Sequence, residues 1–332
     1  MSAHVPVMLP EVLDALGSGP DQVVADMTFG AGGYTEAILA TGARVLAFDR
    51  DPAAIAEGRD HFAGEGRLTL IERPFDALEE EVARHVPGGL DGVVFDLGVS
   101  SMQLDRAERG FSFMRDGPLD MRMGEGPSAA DFVNEAPQED IRRVLSVYGE
   151  ERQAGRLAAA IVRARQQEAI SSTGQLAAIA GQPRPQDRIH PATRLFQAVR
   201  MLVNDELGQL VRALIGAETS LKSGGRLVCV TFHSLEDRIV KRFLAEVSGQ
   251  RAGGSRHRPA PEGPPATFSL VRRKAVPVSD AEASANPRAR SAKLRWAVRT
   301  DAPCMPWDHQ RLSALGAPAL VFSDLQSRWS SR

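Results

Sequence analysis

Several short apolar runs in this chain stop at a residue type that can do chemistry. Val23-Val24-Ala25 ends at Asp26 and opens into the turn Met27-Thr28-Phe29-Gly30-Ala31-Gly32-Gly33. The run from Arg44 to Phe48 ends at Asp49, and Leu68-Thr69-Leu70-Ile71 leads to Pro74-Phe75-Asp76. Gly92-Val93-Val94-Phe95 stops at Asp96. Glycines without a Cβ let the backbone come close to a ligand. Asp49 follows Gly32 by 17 residues, near the spacing at which an acid reaches ribose hydroxyls. The other use of such an acid is to cap a helix, and Asp51, directly before Pro52, suits that better. Phe75 either stacks on an adenine or belongs to the core.

Glycines, a ribose acid, an aromatic ring and a second acid at four successive strand ends suit an adenosine-containing cofactor. They leave NAD and S-adenosylmethionine both open. A pyrophosphate-binding turn has the form G-x-G-x-x-G and presents a helix N-terminus to phosphate. Here Gly30-Ala31-Gly32-Gly33-Tyr34-Thr35-Glu36 has no third glycine in register, and the acid Asp26 precedes it. A carboxylate beside the turn repels pyrophosphate and tolerates a sulfonium, so the electrostatics favour S-adenosylmethionine.

The elements that must hold these residues follow from the same pattern. Strands alternating with helices predict a parallel sheet with right-handed crossovers, an α/β fold. From about Ser101 to Asp205 no comparable strand occurs. Arg109 to Pro127 is predicted to be a long ordered loop. Helical spacing runs through Pro137 to Ala169, with Ile141, Val144, Leu145, Tyr148, Leu157, Ile161 and Val162 on the apolar positions. Ser172 or Thr173 caps a short helix, and Leu195, Val199, Leu202 and Val203 mark a stronger one. Gly224 to Phe232 predicts a fifth strand, and Glu236 to Val247 its helix, with Ser234 as N-cap. Residues 249–265 are rich in Gly, Pro and Arg and are expected to be mobile. Thr267 to Val271 and Ser291 to Val298 are expected to form an antiparallel edge pair.

With 332 residues, 43% hydrophobic and 25% charged, the chain has globular composition and room for about two domains. Cys229 and Cys304 are its two cysteines, too few for a disulfide framework or a thiolate zinc site, and no metal site is expected. No run of about 18 apolar residues predicts a membrane span, and no signal peptide is expected, which makes the cytoplasm the simplest location. The net charge of −2 hides an asymmetry. Residues 1–100 hold 17 acidic and 6 basic residues, whereas residues 251–300 hold 3 and 11. Such asymmetry points either to a polyanion partner or to opposite charges facing each other in one fold.

Longer strings are more specific. They are Asp96-Leu97-Gly98-Val99-Ser100-Ser101, the run from Arg109 through Met123, His190-Pro191-Ala192-Thr193-Arg194, Phe232-His233-Ser234-Leu235-Glu236-Asp237-Arg238 and Asn286-Pro287-Arg288-Ala289-Arg290-Ser291. Over about residues 4–300 the chain resembles the bacterial small-subunit ribosomal RNA cytosine-N4 methyltransferase family (RsmH, also called MraW). The resemblance implies a doubly wound, Rossmann-like class I S-adenosylmethionine methyltransferase sheet with an inserted helical domain. On that basis residues 1–105 and 206–300 form the methyltransferase domain, 106–205 the substrate-recognition insertion, and 301–332 a tail of unknown role. It also implies methylation of cytosine-1402 of 16S ribosomal RNA, within the small ribosomal subunit. The family's cofactor contacts fall at Gly32, Gly33, Tyr34, Asp49, Phe75, Asp96 and Gln103. Tyr34 and Gln103 come from the resemblance alone, and Tyr34 stands where many relatives have His.

Amino-group methylation needs alignment of nitrogen, methyl and sulfur rather than a covalent nucleophile. Cys229, in an apolar strand, is expected to be inert. Asp96 and the run Ser100 to Gln103 lie where acceptors for an amine are useful. No Pro-Pro-Tyr-type turn is present, so no general base is assigned. His233 is a candidate substrate contact. Arginines of the insertion (Arg142, Arg143, Arg152, Arg156, Arg163, Arg165) and of the stretch Arg251 to Arg299 are candidates for RNA phosphates, with Arg288, Arg290 and Arg295 foremost. The rival readings are an NAD-dependent oxidoreductase on a similar sheet and a non-catalytic RNA-binding protein.

Overall fold

The structure is a computed structural model that describes residues 6–183, 185, 189–250, 265–318 and 320–329. The segment 251–264, expected to be mobile, lies outside the described residues, as do its arginines. The chain divides into two compact units, Met1–Gly98 with Gln209–Ala317, and Val99–Gly208 with Pro318–Arg332.

The first unit is built on a sheet. After helix α1 (Leu9–Leu16) come β1 (Val23–Asp26), α2 (Gly33–Ala40), β2 (Arg44–Asp49), α3 (Pro52–His61), β3 (Leu68–Glu72), α4 (Leu78–His85) and β4 (Leu90–Asp96). All four residues of β1 are buried, as expected for a strand covered on both faces. The chain then leaves for the second unit: α5 (Ser101–Asp105), α6 (Ala129–Glu135), α7 (Gln138–Val147), α8 (Ala154–Arg165), α9 (Thr173–Ala180) and α10 (Ala192–Val203). It returns through α11 (Glu206–Ser220) to β5 (Leu221–Thr231), α12 (Ser234–Val247), β6 (Phe268–Leu270), β7 (Val276–Pro277), α13 (Asp280–Ala285) and β8 (Lys293–Arg299). Two helices close the chain, α14 (His309–Leu315) and α15 (Phe322–Trp329).

The sheet order is β3-β2-β1-β4-β5-β8-β6, with β7 also on β8. Strands β1 to β5 pair in parallel, and β8 runs antiparallel to β5, β6 and β7. The order reverses between β1 and β4, and the crevice at the carboxyl ends of strands flanking such a reversal is where open sheets bind ligands. β5 begins three residues earlier than the glycine pair suggests, because Leu221 pairs with Leu90 across a register irregularity.

In the second unit, Val144, Leu145, Ile161, Leu195 and Val199 are fully buried, in keeping with their helical spacing. Ser172 caps α9 through a reciprocal box with Gln175. The predicted loop is ordered by backbone bonds, Leu119 N to Ser171 O and Met121 N to Arg109 O. Asn204 pins it further, donating to Met121 O and accepting from Met123 N.

The tail has jobs its sequence did not disclose. Residues up to 317 pack on the first unit, where the Trp307 ring stacks on Phe243 at 5.5 Å and donates from Nε1 to buried Glu218 at 2.7 Å. Cys304 Sγ lies 3.1 Å from Arg299. In the second unit Leu320, Phe322 and Leu325 are buried, and Tyr148 donates its hydroxyl proton to Leu320 O. Trp329 packs near Phe132 and Phe322 and donates to Asp140 at 2.7 Å.

Candidate active site

The site is best built from the turn after β1. Gly30 and Gly32 have φ of 54° and 80°, the left-handed region that favours glycine. Gly32 is also the N-cap of α2, and a Cβ on it would lie 2.8 Å from the Phe62 ring and 3.0 Å from the Phe29 ring. Gly33 packs against the Pro6 ring with no room for a side chain. Tyr34 is buried and its hydroxyl donates to Val7 O, so that group is committed to the N-terminal segment. What Tyr34 has to offer a ligand is its backbone.

Carboxylates surround this turn. Asp26 is fully buried; its Oδ1 accepts from Thr28 N at 3.2 Å and its Oδ2 from the Thr35 hydroxyl at 2.7 Å. Burial pushes its pKa up to about 6, with Asp49 adding to the rise. Asp49 ties β2 to the turn, accepting from Gly30 N and Asp51 N at 2.9 Å each, and burial raises its pKa. Arg50 N–H bonds the same carboxylate, which with about four acceptor sites still has room for a ribose hydroxyl. The helix cap is Asp51, which accepts from Ala53 N. Asp96 donates its backbone N–H to Thr28 Oγ1 at 2.7 Å, fastening β4 to the same turn. Its Oδ1 is closed off from water without a partner. Burial lifts the Asp96 carboxyl well above its ordinary range, and the neighbouring carboxylates Asp26 and Glu236 push the same way. Negative groups gathered where water is partly excluded are the chemistry of a site for a cation.

Phe75 stands half-buried in a single 3₁₀ turn, Phe75–Ala77, edge-on to Phe95 at 6.0 Å. The first unit therefore holds six of the seven candidate cofactor residues: Gly32, Gly33, Tyr34, Asp49, Phe75 and Asp96. Gln103 belongs to the second unit, where it closes the capping box of α5 with Ser100, accepting from Ser100 N at 3.0 Å. Thr28 and Thr35, which hold Asp26 and Asp96 in place, carry no signal in the sequence beyond their place in the turn and the helix that follows it.

At the end of β5 the N-cap of α12 is His233, one residue before the expected Ser234. Its Nδ1 accepts from Glu236 N at 3.3 Å, while Glu236 Oε2 accepts from Phe232 N at 2.8 Å and His233 N at 3.2 Å. Glu236, buried here, could have been found from its place three residues after the cap. Cys229 is fully buried, and burial pushes its thiol pKa up, which makes it a poor nucleophile.

The basic residues sort differently from expectation. Arg295 is bound to Asp237 at 2.8 Å with its side chain largely buried, so it is part of the packing of β8 on α12 and not an open phosphate ligand. Lys293 shares the same acid at 3.3 Å. Arg288 and Arg290, in the 3₁₀ turn Pro287–Ser291, are exposed, as are Arg272, Arg273 and Lys274. In the insertion Arg142 pairs with Glu139 and Arg165 donates to Val133 O, while Arg143, Arg152, Arg156 and Arg163 are exposed.

A family model described as the MraW methylase family matches residues 1–300. The chain is 57% identical over 303 residues to a ribosomal RNA small subunit methyltransferase H of Rhizobium rhizogenes, covering 90% of this chain and 87% of that protein. It is 58% identical over 305 residues to the protein of the same name from Sinorhizobium fredii, covering 90% and 88%. A solved structure of a putative rRNA-methylase from Clostridium thermocellum is a distant match, with a TM-score of 0.41, 14% identity, and coverage of 89% of this chain and 98% of that one.

Proposed function

The chain belongs to the MraW methylase family, and from that membership we propose that it transfers a methyl group from S-adenosylmethionine to the N4 amino group of a cytosine, position 1402, in 16S ribosomal RNA. The observation that carries the reading is the set of carboxylates at the ends of β1, β2 and β4, Asp26 buried and Asp49 and Asp96 half-buried, each with its pKa raised. A cationic cofactor relieves their mutual repulsion, whereas the pyrophosphate of NAD aggravates it. The relatives' shared name supplies the substrate class.

The residues present fit that cofactor. Gly32, Gly33 and the Tyr34 backbone would hold its amino-acid end, Asp49 its ribose and Phe75 its adenine. Asp96 would lie beside its charge, and Gln103 is added by the resemblance. When bound, S-adenosylmethionine supplies an electrophilic methyl carbon on a positive sulfur. The chain's own task is then to orient the amine and exclude water, with no covalent nucleophile, in keeping with the buried state of Cys229. We assign the first unit to cofactor binding and methyl transfer, and the helical unit to substrate recognition. Arg272, Arg273, Lys274, Arg288 and Arg290 are exposed donors suited to ribosomal phosphates. Action on the small subunit in the cytoplasm follows from the substrate, and no described helix is long and apolar enough to cross a membrane.

The test is methyl transfer from labelled S-adenosylmethionine to small subunits lacking the mark, followed by nucleoside analysis. The expected product is N4-methylcytidine; its absence overturns the reaction and leaves a non-catalytic RNA-binding role. Thermal stabilisation by S-adenosylhomocysteine and not by NADH separates the methyltransferase from an oxidoreductase, since a ligand stabilises only the fold that binds it.

A further inference from the structure

Three side-chain atoms among the described residues are buried without a hydrogen-bond partner, and two of them, Asp96 Oδ1 and His233 Nε2, lie at neighbouring strand ends of the first unit. Buried polar groups are nearly always satisfied, so a pair of orphans at one sheet edge calls for an explanation. Asp96 and Val230 are partners in the β4–β5 ladder, and Leu97 N donates to Val230 O at 3.0 Å. A Cβ on Gly98 would lie 3.7 Å from the Phe232 ring, so the two strands stay adjacent as they leave the sheet.

The two orphans have opposite character. His233 Nδ1 is occupied as an acceptor by Glu236 N–H, which assigns the ring proton to Nε2. Glu236 Oε1 lies 2.9 Å from Nε2 as an ion-pair contact, and no hydrogen bond joins them. Nε2–H is therefore a donor that no acceptor in the chain takes up. Asp96 Oδ1 is an acceptor. Burial beside Asp26 and Glu236 favours its protonated form, and an incoming cation reverses that preference.

A donor and an acceptor at the ends of two adjacent strands complement the Watson–Crick edge of cytosine, which shows an amino donor at N4 and an acceptor at N3. Uracil shows an acceptor at O4 and a donor at N3, the reverse order. Adenine shares cytosine's order and is separated by ring size. Resting on the methylation reading above, we propose that His233 is a specificity residue: its Nε2–H donates to N3 of the target cytosine while Asp96 Oδ1 accepts from the N4 amino group. The two bonds fix the base plane, and with it the direction from which the amine meets the methyl group. A contact from the other Asp96 oxygen to the cofactor is compatible with this role.

Two substitutions separate the readout from the capping function of the same residue. His233→Asn keeps a good N-cap but lacks reach; His233→Gln places an amide donor near the position of Nε2. We expect H233N to lower kcat/KM for methyl transfer to unmodified small subunits by roughly 10- to 100-fold, the range for one base-edge contact. S-adenosylhomocysteine affinity and thermal midpoint should stay at the wild-type values, and H233Q should recover part of the loss. On subunits reconstituted with 3-deazacytosine at the target, which lacks the N3 acceptor, wild type should fall to the level of H233N, and H233N should fall no further. Full activity of H233N, equal losses in H233N and H233Q, or losses that multiply on the deaza substrate would each overturn the proposal. If wild-type protein transfers no methyl group to the subunit, it is the reaction assignment that fails, a result seen before any variant is compared.

Discussion

Asp26 is the residue on which the charge logic of the site can be tested most directly. Its pKa rises from the ordinary 3.8 to about 6 because burial penalises the carboxylate. A raised acid favours the folded state at low pH, so this contribution is complete below about pH 3.8 and lost as pH climbs through about 6. Its size is about 3 kcal/mol, from two pKa units at 1.36 kcal/mol each. Binding a sulfonium favours the ionised form, and the preference for S-adenosylmethionine over S-adenosylhomocysteine should grow as pH rises from 5 to 7.5. Asp26→Asn should flatten that profile and weaken S-adenosylmethionine binding roughly tenfold or more, the scale for losing one buried charge partner. Calorimetric titration of both ligands at each pH checks this, and a profile unchanged in the variant contradicts it. The place of Asp49 and Asp96 at strand ends was legible because an apolar run stops at each. Arg295 was misjudged because a count of charges along the chain does not reveal that Asp237 faces it.

Most elements with a well-buried face were legible, but α11 was not expected although Leu207, Leu210, Ala213, Leu214 and Ala217 are buried in it. Strands β1, β2 and β4 show near-continuous apolar runs because both faces are covered, and α7, α8 and α10 show helical spacing because one face is. The five residues of α5 and the two of β7 are too short for any period to register. The cap of α12 was placed one residue late because His233 and Ser234 both offer a side-chain acceptor, and it is Glu236, buried beneath the turn, that selects His233. The tail was opaque for another reason: its anchors are single aromatic residues without a repeat. Trp307 lies between the Phe243 ring and the Arg311 guanidinium, 4.1 Å from its centroid. Glu218 beneath it accepts from Thr267 and Trp307 and is fully buried. Trp307→Phe should keep most of the stacking but leave Glu218 Oε2 without its donor. The expected cost is about 1–3 kcal/mol in denaturant unfolding, with no change in m-value. A loss below a few tenths of a kcal/mol would mean that the tail does not hold Glu218.

At the scale of the whole molecule the net charge of −2 is a cancellation between regions with different tasks. The acidic first hundred residues supply the carboxylates around the turn after β1. The basic stretch that balances them is partly spent on structure: Arg299 is buried and donates to Glu218 O and Thr267 O, while Arg295 and Lys293 share Asp237. Exposed in the described part of that stretch are Arg272, which lies over the Trp296 ring, Arg273, Lys274, Arg288, Arg290 and the Asp237-paired Lys293. A charge map drawn from sequence therefore overstates the exposed positive charge, part of which is paired within the fold. Phosphate contacts release counterions, so each one steepens the fall of affinity with salt by about 0.7 for single-stranded RNA. Replacing Arg288 and Arg290 together by Gln should lower the slope of log affinity for the small subunit against log salt by about 1.4, with S-adenosylhomocysteine affinity unchanged. Replacing Arg295 should act differently. It strips Asp237 of its half-buried partner and so should lower the thermal midpoint at every salt concentration. Binding measured across a salt series, beside unfolding of the same variants, distinguishes the two. An Arg288/Arg290 variant with the wild-type slope would remove this turn from the RNA-binding surface.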